Sequence, residues 1–511
     1  MASVNLFGQV QNIPLSFSLN QEINTHQLNE GSFPHQGMKP YCRQFVDDKV
    51  FDYTFIDTSK HYYDFTVFLY KRSLLEIQKG DVNITADLLL DLEIGKSNDP
   101  GRKNSTRVLT NTRGIRVTGD IGPKVSFETR FYENQFYFPN YLDSIAFRRG
   151  IAFGRGRTKQ FKNVGFDVGN SAGYVSIKAT QQINIQFGHG KLFFGHGYRS
   201  LLLSDNSSNY PLLKIQMLSK NGKWAYQNTN ALMQSLSRLP ASNSAEALFK
   251  RKAASFRYLS FKPSNQLEIG IFEGVIYKKY EENKGMVPVH YSFYIPVIGA
   301  STALNGLQSE NNSLIGLNAK YQFKQFNIFG QLAMDNIDKI GFQLGGNWFE
   351  PFGLKKNWFH VEFNDVPSYM YTHDSQNILQ NYSHTNQELA HPIGASFSEF
   401  IGIYHFEKNK WFAEAEIAIS GRKRYYGGIR GEYILQANDP LISFVNIEEK
   451  VSTVFWKIEA GHNFNLKTRM QAYFGIYSRS LSNKSNSLKN QSELYYTIGL
   501  RMNLNNYYYD L

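Results

Sequence analysis

The last strand-forming segment of the chain is the feature that most limits its fold. From position 494 onward, apolar side chains alternate with small or polar ones. The apolar positions are Leu494, Tyr496, Ile498, Leu500, Met502 and Leu504, and the intervening ones are Tyr495, Thr497, Gly499, Arg501 and Asn503. A period of two places these sets on opposite faces of a β-strand. About ten residues of such alternation are what a tilted strand needs to cross a bilayer, so we predict a membrane-spanning strand.

The same alternation recurs upstream. Within 83–94, apolar residues occupy the even positions and Asp87, Asp91 and Glu93 share the other face. The segments 183–187 and 342–348 repeat the pattern. Carboxylates on one face of the first of these segments predict a wet interior, with the apolar faces turned toward lipid.

The connections between strands are of two kinds. Short ones are predicted at 323–325 and 466–468, whereas 367–392 and 480–492 are long, polar and rich in Asn and Ser. Short turns at one end and long loops at the other are typical of a barrel in an outer membrane.

Composition supports this interpretation. Hydrophobic residues make up 42% and aromatic residues 15% of the chain, yet no run approaches the roughly twenty apolar residues of a spanning helix. A membrane protein without such helices must close a barrel, because lipid cannot satisfy open backbone groups. A soluble sandwich or propeller also alternates, but it does not require so long a final strand. We predict an all-β, antiparallel outer-membrane β-barrel of about 16–18 strands over residues 80–511.

The N-terminal region differs from the rest. Residues 1–12 are interpreted as the remnant of a signal peptide or as disordered chain. Residues 13–79 are predicted to form a small, partly helical periplasmic or plugging segment, with an amphipathic helix over 63–77.

Net charge and cysteine content limit the binding partners and the kinds of site that we expect. The formal net charge is +12, and the lone Cys42 excludes an internal disulfide and thiol-based metal sites. We expect the basic excess to attract acidic sugars or lipopolysaccharide phosphates, and we expect no nucleic-acid partner, because no aromatic-basic nucleic-acid motif is present. We expect no cofactor.

The centre of the chain carries the most specific motif. Residues 188–215 read GHGKLFFGHGYRSLLLSDNSSNYPLLKI, and further segments at 111–115, 131–135 and 391–395 accompany it. This block resembles the central signature of the Wzi family of capsule-assembly proteins and is most similar to its RemB branch of gliding-motility proteins, from about Lys39 to the C-terminus. The resemblance implies a non-enzymatic outer-membrane barrel that binds or organises surface polysaccharide. In the RemB case it implies a role in motility, with gliding or secretion proteins as partners.

The residues of this block suit a sugar site. Glycines permit bends and close backbone approach at a barrel rim, Tyr stacks on a pyranose, and Arg or Lys pairs with uronate or phosphate. The candidate ligand-binding residues are His189, Lys191, Tyr198, Arg199, Asp205, Asn206 and Tyr210. The alternative is a barrel corner in which Arg199 pairs with Asp205 and Asn206 closes a turn.

Other functional classes are less favoured by the sequence. His189 and His196 lack a metal-binding spacing, and Ser200 or Ser204 would need a base and an oxyanion site. The paired carboxylates of Glu414 and Glu416 are explained more simply by lumen charges facing Lys or Arg. We therefore expect a polysaccharide-binding barrel rather than an enzyme; the alternative is a substrate porin or transporter.

Overall fold

The computed structural model describes residues 10–30, 35–46, 63–162, 164–239, 249–281, 283–307, 310–373, 378–425, 448–483 and 490–511. Within these residues, eighteen antiparallel strands form a closed barrel. The predicted fold class is confirmed. Most of the proposed signal remnant, residues 1–9, lies outside the described residues.

The strands of the barrel wall are labelled β1 to β18 in chain order. They are Val82–Ser97, Arg107–Ile121, Val125–Tyr137, Gly165–Lys178, Ile183–Gly190, Tyr210–Leu218, Trp224–Arg238, Phe249–Phe261, Leu267–Tyr277, Asn312–Phe323, Phe326–Asn336, Lys339–Phe349, Trp358–Val366, Phe397–Lys408, Trp411–Tyr425, Glu448–Asn465, Met470–Asn483 and Gln491–Met502. The helices α1 to α4 are Phe17–Glu30, Asp64–Lys71, Asn140–Arg149 and Ala300–Asn305. No helix among the described residues has both the length and the apolar character needed to cross a membrane.

The ring closes between β18 and β1, which pair in the register Ile498↔Ile94. A short strand, Leu75–Lys79, pairs with the beginning of β1. The helix predicted over 63–77 is therefore too long, since α2 ends at Lys71 and the barrel includes residues before 80. The reason is that 75–78 alternates apolar and polar side chains, and pairing with β1 satisfies its backbone groups.

The two faces of the wall agree with the predicted alternation. On β18, Leu494, Tyr496 and Ile498 are exposed on the outside, whereas Tyr495 and Thr497 are buried inside. An exterior of this kind is the apolar band that contacts lipid. Leu504, which the pattern placed in the same strand, lies beyond the end of β18 and is buried.

The barrel has a turn end and a loop end. Tight connections at the turn end include the two residues between Phe323 and Phe326, and the predicted turns at 323–325 and 466–468 are confirmed. Aromatic residues such as Trp224, Trp348 and Trp411 encircle this end. By the usual arrangement of outer-membrane barrels, the turn end is periplasmic and the loop end external. Of the loop predicted at 480–492, residues 480–483 and 491–492 belong to strands, and 484–489 lies outside the described residues.

The barrel interior is occupied by protein. Four stretches, which we call the lumen segments, lie inside the wall: 10–46 and 367–396 in their described parts, 191–209 and 503–511. Gln21 of α1 donates to Asn347 of β12 at 3.0 Å, and Met38–Lys39 pairs with Phe193–Phe194. The largest hydrophobic cluster joins these segments to the inner face of the wall. The core of this barrel therefore lies in its lumen.

Candidate functional site

The glycine-rich motif determines where the chain leaves the wall. Strand β5 ends at Gly190, which pairs with Tyr210 at the start of β6, and residues 191–209 between them turn into the lumen. Two later positions of the motif must be glycine, because other side chains lie very close to the backbone there. A Cβ on Gly195, whose φ is +144°, would lie 2.3 Å from Gln331 Nε2, and one on Gly197 would lie 2.3 Å from Glu362 Oε2.

Because residues 191–209 leave the wall after Gly190, the two strands that flank them are short. Strands β5 and β6 contain 8 and 9 residues, whereas the flanking β4 and β7 contain 14 and 15. The wall is consequently lower at β5 and β6 than at their neighbours on the loop end. This notch forms a cleft of about 490 Å³, which we call the rim cleft.

Positive charge dominates the rim cleft. Arg155, Arg157 and Arg251 lie among its lining residues, and the described lining contains no carboxylate. Arg157 and Arg251 are exposed, while Arg155 is buried and pairs with Asp91 at 3.3 Å. An open surface with this charge selects anions.

The Phe249 ring of the cleft contacts one lining arginine, Arg157, and a neighbouring arginine outside the lining, Arg238. The Phe249 ring lies 5.2 Å from the Arg157 guanidinium carbon and 5.4 Å from that of Arg238. Such cation–π contacts restrain the guanidinium groups, so less entropy is lost when they bind an anion.

Of the predicted ligand-binding residues, only His189 lines the rim cleft. It is half-buried, and its Nδ1 lies 3.1 Å from the Ser171 carbonyl oxygen. The other basic residues of the cleft carry a sequence signal that the prediction did not use, namely the clusters GRGR at 154–157 and KRK at 250–252.

Arg199 lies in the lumen and is fully buried. Its Nη2 is 3.2 Å from Glu399 Oε1 and 2.8 Å from Asp510 Oδ2. The alternative pairing of Arg199 with Asp205 is therefore wrong. Burial acts to lower the pKa of Arg199, but Asp510 and Glu399 outweigh burial and hold the pKa well above its usual value. This ion triad ties residues 191–209, which we call the inserted loop, to β14 and to the C-terminal tail.

Asp205, Asn206 and Tyr210 are also buried. Asp205 accepts hydrogen bonds from Tyr508 Oη at 2.6 Å and Asn506 Nδ2 at 3.0 Å, and burial raises the pKa of this carboxyl group. Asn206 donates to the Glu388 carbonyl at 3.0 Å. The Tyr210 ring packs edge-on against His384, with 5.7 Å between the ring centroids. These side chains connect the lumen segments to one another.

Lys191 and Tyr198 are half-buried. Lys191 Nζ donates to the carbonyls of Gly154 at 2.7 Å and Asp205 at 3.0 Å, and burial lowers the pKa of Lys191 to about 8. The Tyr198 ring lies edge-on to Phe17 of α1, with centroids 5.1 Å apart. Three of the predicted residues, His189, Lys191 and Asp205, therefore line one small cavity, and Tyr198 lines another. The remaining three, Arg199, Asn206 and Tyr210, are buried and line neither.

A cavity of about 210 Å³, separate from the rim cleft, lies between the lumen segments and the inner faces of β1 and β14–β18. It is lined by Glu414 and Glu416, and Lys457 Nζ bridges the two carboxylates at 3.1 and 2.9 Å. The prediction that lumen cations face these carboxylates is confirmed. Among the described residues, no group of three or more His, Cys, Asp or Glu side chains is placed to hold a metal ion.

Comparison with known proteins supports a fold assignment. No family model and no curated protein sequence matches the chain. A solved structure of Wzi from Escherichia coli, described as an outer-membrane protein involved in group 1 capsule assembly and a carbohydrate-binding β-barrel, has a TM-score of 0.57 and 11% identity. The match covers 97% of this chain and 100% of the Wzi chain. OprD from Pseudomonas aeruginosa, at a TM-score of 0.41 and 10% identity over 83% of this chain and 96% of its own, is too distant to support an inference.

These observations define the class of protein: a large outer-membrane β-barrel whose lumen is occupied by its own chain. Within that class, its fold is Wzi-like.

Proposed function

We propose that this barrel is a non-enzymatic outer-membrane protein that binds acidic surface polysaccharide at the rim cleft. The observation that carries the proposal is the cleft itself, open at the external end and lined by arginines without a carboxylate among its described lining residues. Its volume of about 490 Å³ is within the usual range for small-molecule pockets, and it suits a short stretch of a glycan chain.

The chemistry of the cleft fits acidic sugars. Guanidinium groups form paired hydrogen bonds with the carboxylate of a uronate or with a phosphate, which ammonium groups cannot match in geometry. His189 and Asn209 supply further polar groups to the lining of the cleft. Carbohydrate binding by the structurally similar Wzi barrel supports the same proposal.

The predicted ligand residues divide into two groups under this proposal. His189 contacts the glycan, and the other six position the inserted loop, whose last two residues, Ser208 and Asn209, line the cleft. These six are Lys191, Tyr198, Arg199, Asp205, Asn206 and Tyr210. We also propose that the N-terminal segment acts as a plug in its described part within 13–46, whereas Leu75–Lys79 belongs to the wall. Burial of α1 within the barrel supports this assignment.

The lumen segments argue against the alternative of a porin or transporter. They are joined to one another by buried hydrogen bonds, such as those from Tyr371 and Tyr382 to the carbonyls of Leu201 and Leu202, both 2.8 Å. Planar bilayer conductance tests this point. We expect no stable open channel, and steady ohmic conductance with substrate selectivity would favour transport.

Binding is tested with two polysaccharides, one acidic and one neutral. Purified barrel in detergent should retain polygalacturonate and not neutral dextran, and raising the salt concentration should weaken retention, because exposed charges are screened beyond about 8–10 Å near physiological ionic strength. The double variant Arg157→Ala/Arg251→Ala should lose retention. Arg148→Ala, an exposed arginine on α3 outside the cleft, is the matched control.

Lipopolysaccharide phosphates present the same anionic chemistry from the adjacent leaflet. A competition assay distinguishes the two sources: polygalacturonate should remain bound in the presence of purified lipopolysaccharide if polysaccharide is the ligand. Full displacement would make lipid the partner. Unchanged retention by the folded double variant would remove the rim cleft as the site.

The sequence resembles the RemB branch of gliding-motility proteins. On this basis we propose a role in surface motility, with gliding or secretion proteins as partners. Deleting the gene should slow cell spreading on a surface. Restoration of spreading by the Arg157→Ala/Arg251→Ala variant would separate motility from glycan binding.

A further inference from the structure

A buried lysine without a partner marks a second site. Lys214 projects from β6 into the lumen, its side chain is fully buried, and its Nζ has no hydrogen-bond partner. Taking an ammonium group out of water without a compensating partner costs several kcal/mol, so a buried cation is normally paired.

The surroundings of Lys214 do not supply an anion from the protein. Lys214 lines a cavity of about 50 Å³ together with Arg130, Lys191, Glu128 and Asp205. Glu128 is bound by Arg116 at 2.7 Å and by Arg130 at 2.8 Å. Asp205 is held by Tyr508 and Asn506 as described above. Neither carboxylate hydrogen-bonds Lys214, and the three cations on the cavity wall outnumber the two carboxylates.

The thiol of Cys42 is the acidic group that interacts with Lys214 electrostatically. Burial raises the pKa of Cys42, so this thiol is neutral at physiological pH and provides no charge. Lys252 offers a contrast. It is equally buried, but its Nζ donates to the Asn381 carbonyl at 2.7 Å and to Ser383 Oγ at 3.2 Å.

We propose that the cavity at Lys214 is a binding site for a halide-sized anion, with the Lys214 ammonium as its principal donor. The volume exceeds the space that one water molecule needs and admits a chloride ion, but not a sugar. Besides Lys214 on the wall, the cavity is lined by Lys191 of the inserted loop, Asn12 of the N-terminal segment and Asn506 of the C-terminal tail. An anion here links three lumen segments to the wall and stabilises the plug.

Thermal unfolding in detergent tests the proposal at constant ionic strength. The midpoint temperature should be higher in sodium chloride or bromide than in sodium gluconate, because a ligand that binds the folded state stabilises it by mass action. The variant Lys214→Met should lose this halide-dependent rise. Lys252→Met is the matched control, expected to lower the midpoint in every salt while keeping the halide-dependent rise.

Crystals grown in sodium bromide give a direct measurement that does not depend on any variant folding. An anomalous bromide peak beside Lys214 Nζ is the expected result. A cavity holding only water, or a halide effect of the same size in Lys214→Met, would overturn the assignment. Polygalacturonate retention tests the rim cleft and not the cavity at Lys214. Either proposal can therefore be refuted while the other stands.

Discussion

The ion triad of Arg199 gives the sharpest stability prediction. Replacing Arg199 with Met removes a fully buried guanidinium and leaves Glu399 and Asp510 facing each other without their shared cation. Removing one partner of a buried ion pair costs about 3–5 kcal/mol, because the remaining charge stays desolvated. We expect Arg199→Met to lower the free energy of unfolding by about that amount.

A second substitution tests the cause of the loss. In Arg199→Met/Asp510→Asn, the remaining Glu399 still accepts from His391 Nε2 at 2.7 Å and Asn364 Nδ2 at 3.2 Å. The double variant should therefore recover part of the loss, with a coupling energy of about 0.5–3 kcal/mol in the double-mutant cycle. Arg148→Met, on the exposed face of α3, should change stability by no more than about 0.5 kcal/mol.

Urea unfolding in a lipid or detergent environment measures these differences, with heat-modifiable electrophoretic mobility as a check on folding. Polygalacturonate retention by the folded fraction is measured in parallel. The reasoning is refuted if Arg199→Met keeps wild-type stability but loses retention, because Arg199 would then contact the ligand instead of positioning the loop.

Two further perturbations follow from the structure. Ile498→Arg places a charge on the lipid face of β18 and should cost about 2–4 kcal/mol near the bilayer midplane, whereas Ile498→Leu should cost less than about 1.5 kcal/mol; equal unfolding transitions for the two variants would contradict the membrane placement. Burial lowers the pKa of Lys39, in the plug, to about 7. The unfolded chain then binds more protons between about pH 7 and 10.5, so the contribution of Lys39 makes stability rise with pH in that window, by at most about 1.4 kcal/mol per pH unit. Lys39→Met should flatten this rise in a pH series of unfolding midpoints, and an unchanged slope would show that Lys39 is not the group responsible.

Local patterns were sufficient to predict the wall. Alternation along β18 identified its lipid and lumen faces, and the turn between Phe323 and Phe326 was visible as a break between two alternating runs. The helix predicted over 63–77 was too long because the local sequence does not show where the helix ends. Its second half has no glycine or proline to end a helix, and only pairing with β1 makes 75–79 a strand.

The contacts of the predicted site could not be predicted from local sequence patterns. The glycine-rich motif was recognised as a special segment, yet its partners lie far away in the chain: Glu399 and Asp510 are separated from Arg199 by 200 and 311 residues. The apolar run at 201–203 is equally compatible with a strand, and its burial inside the lumen depends on Tyr371 and Tyr382 from another loop.

The sequence by itself therefore determined the barrel, its lipid-facing residues and the segment where the wall is interrupted, because each follows from side-chain period and backbone freedom within a few residues. Only the tertiary structure decided that the inserted loop turns inward, that Arg199 pairs with Glu399 and Asp510, and that Arg157, His189 and Arg251 meet at one cleft. Those outcomes depend on which distant strands become neighbours when the ring closes, and on how charges are satisfied once water is excluded from the lumen.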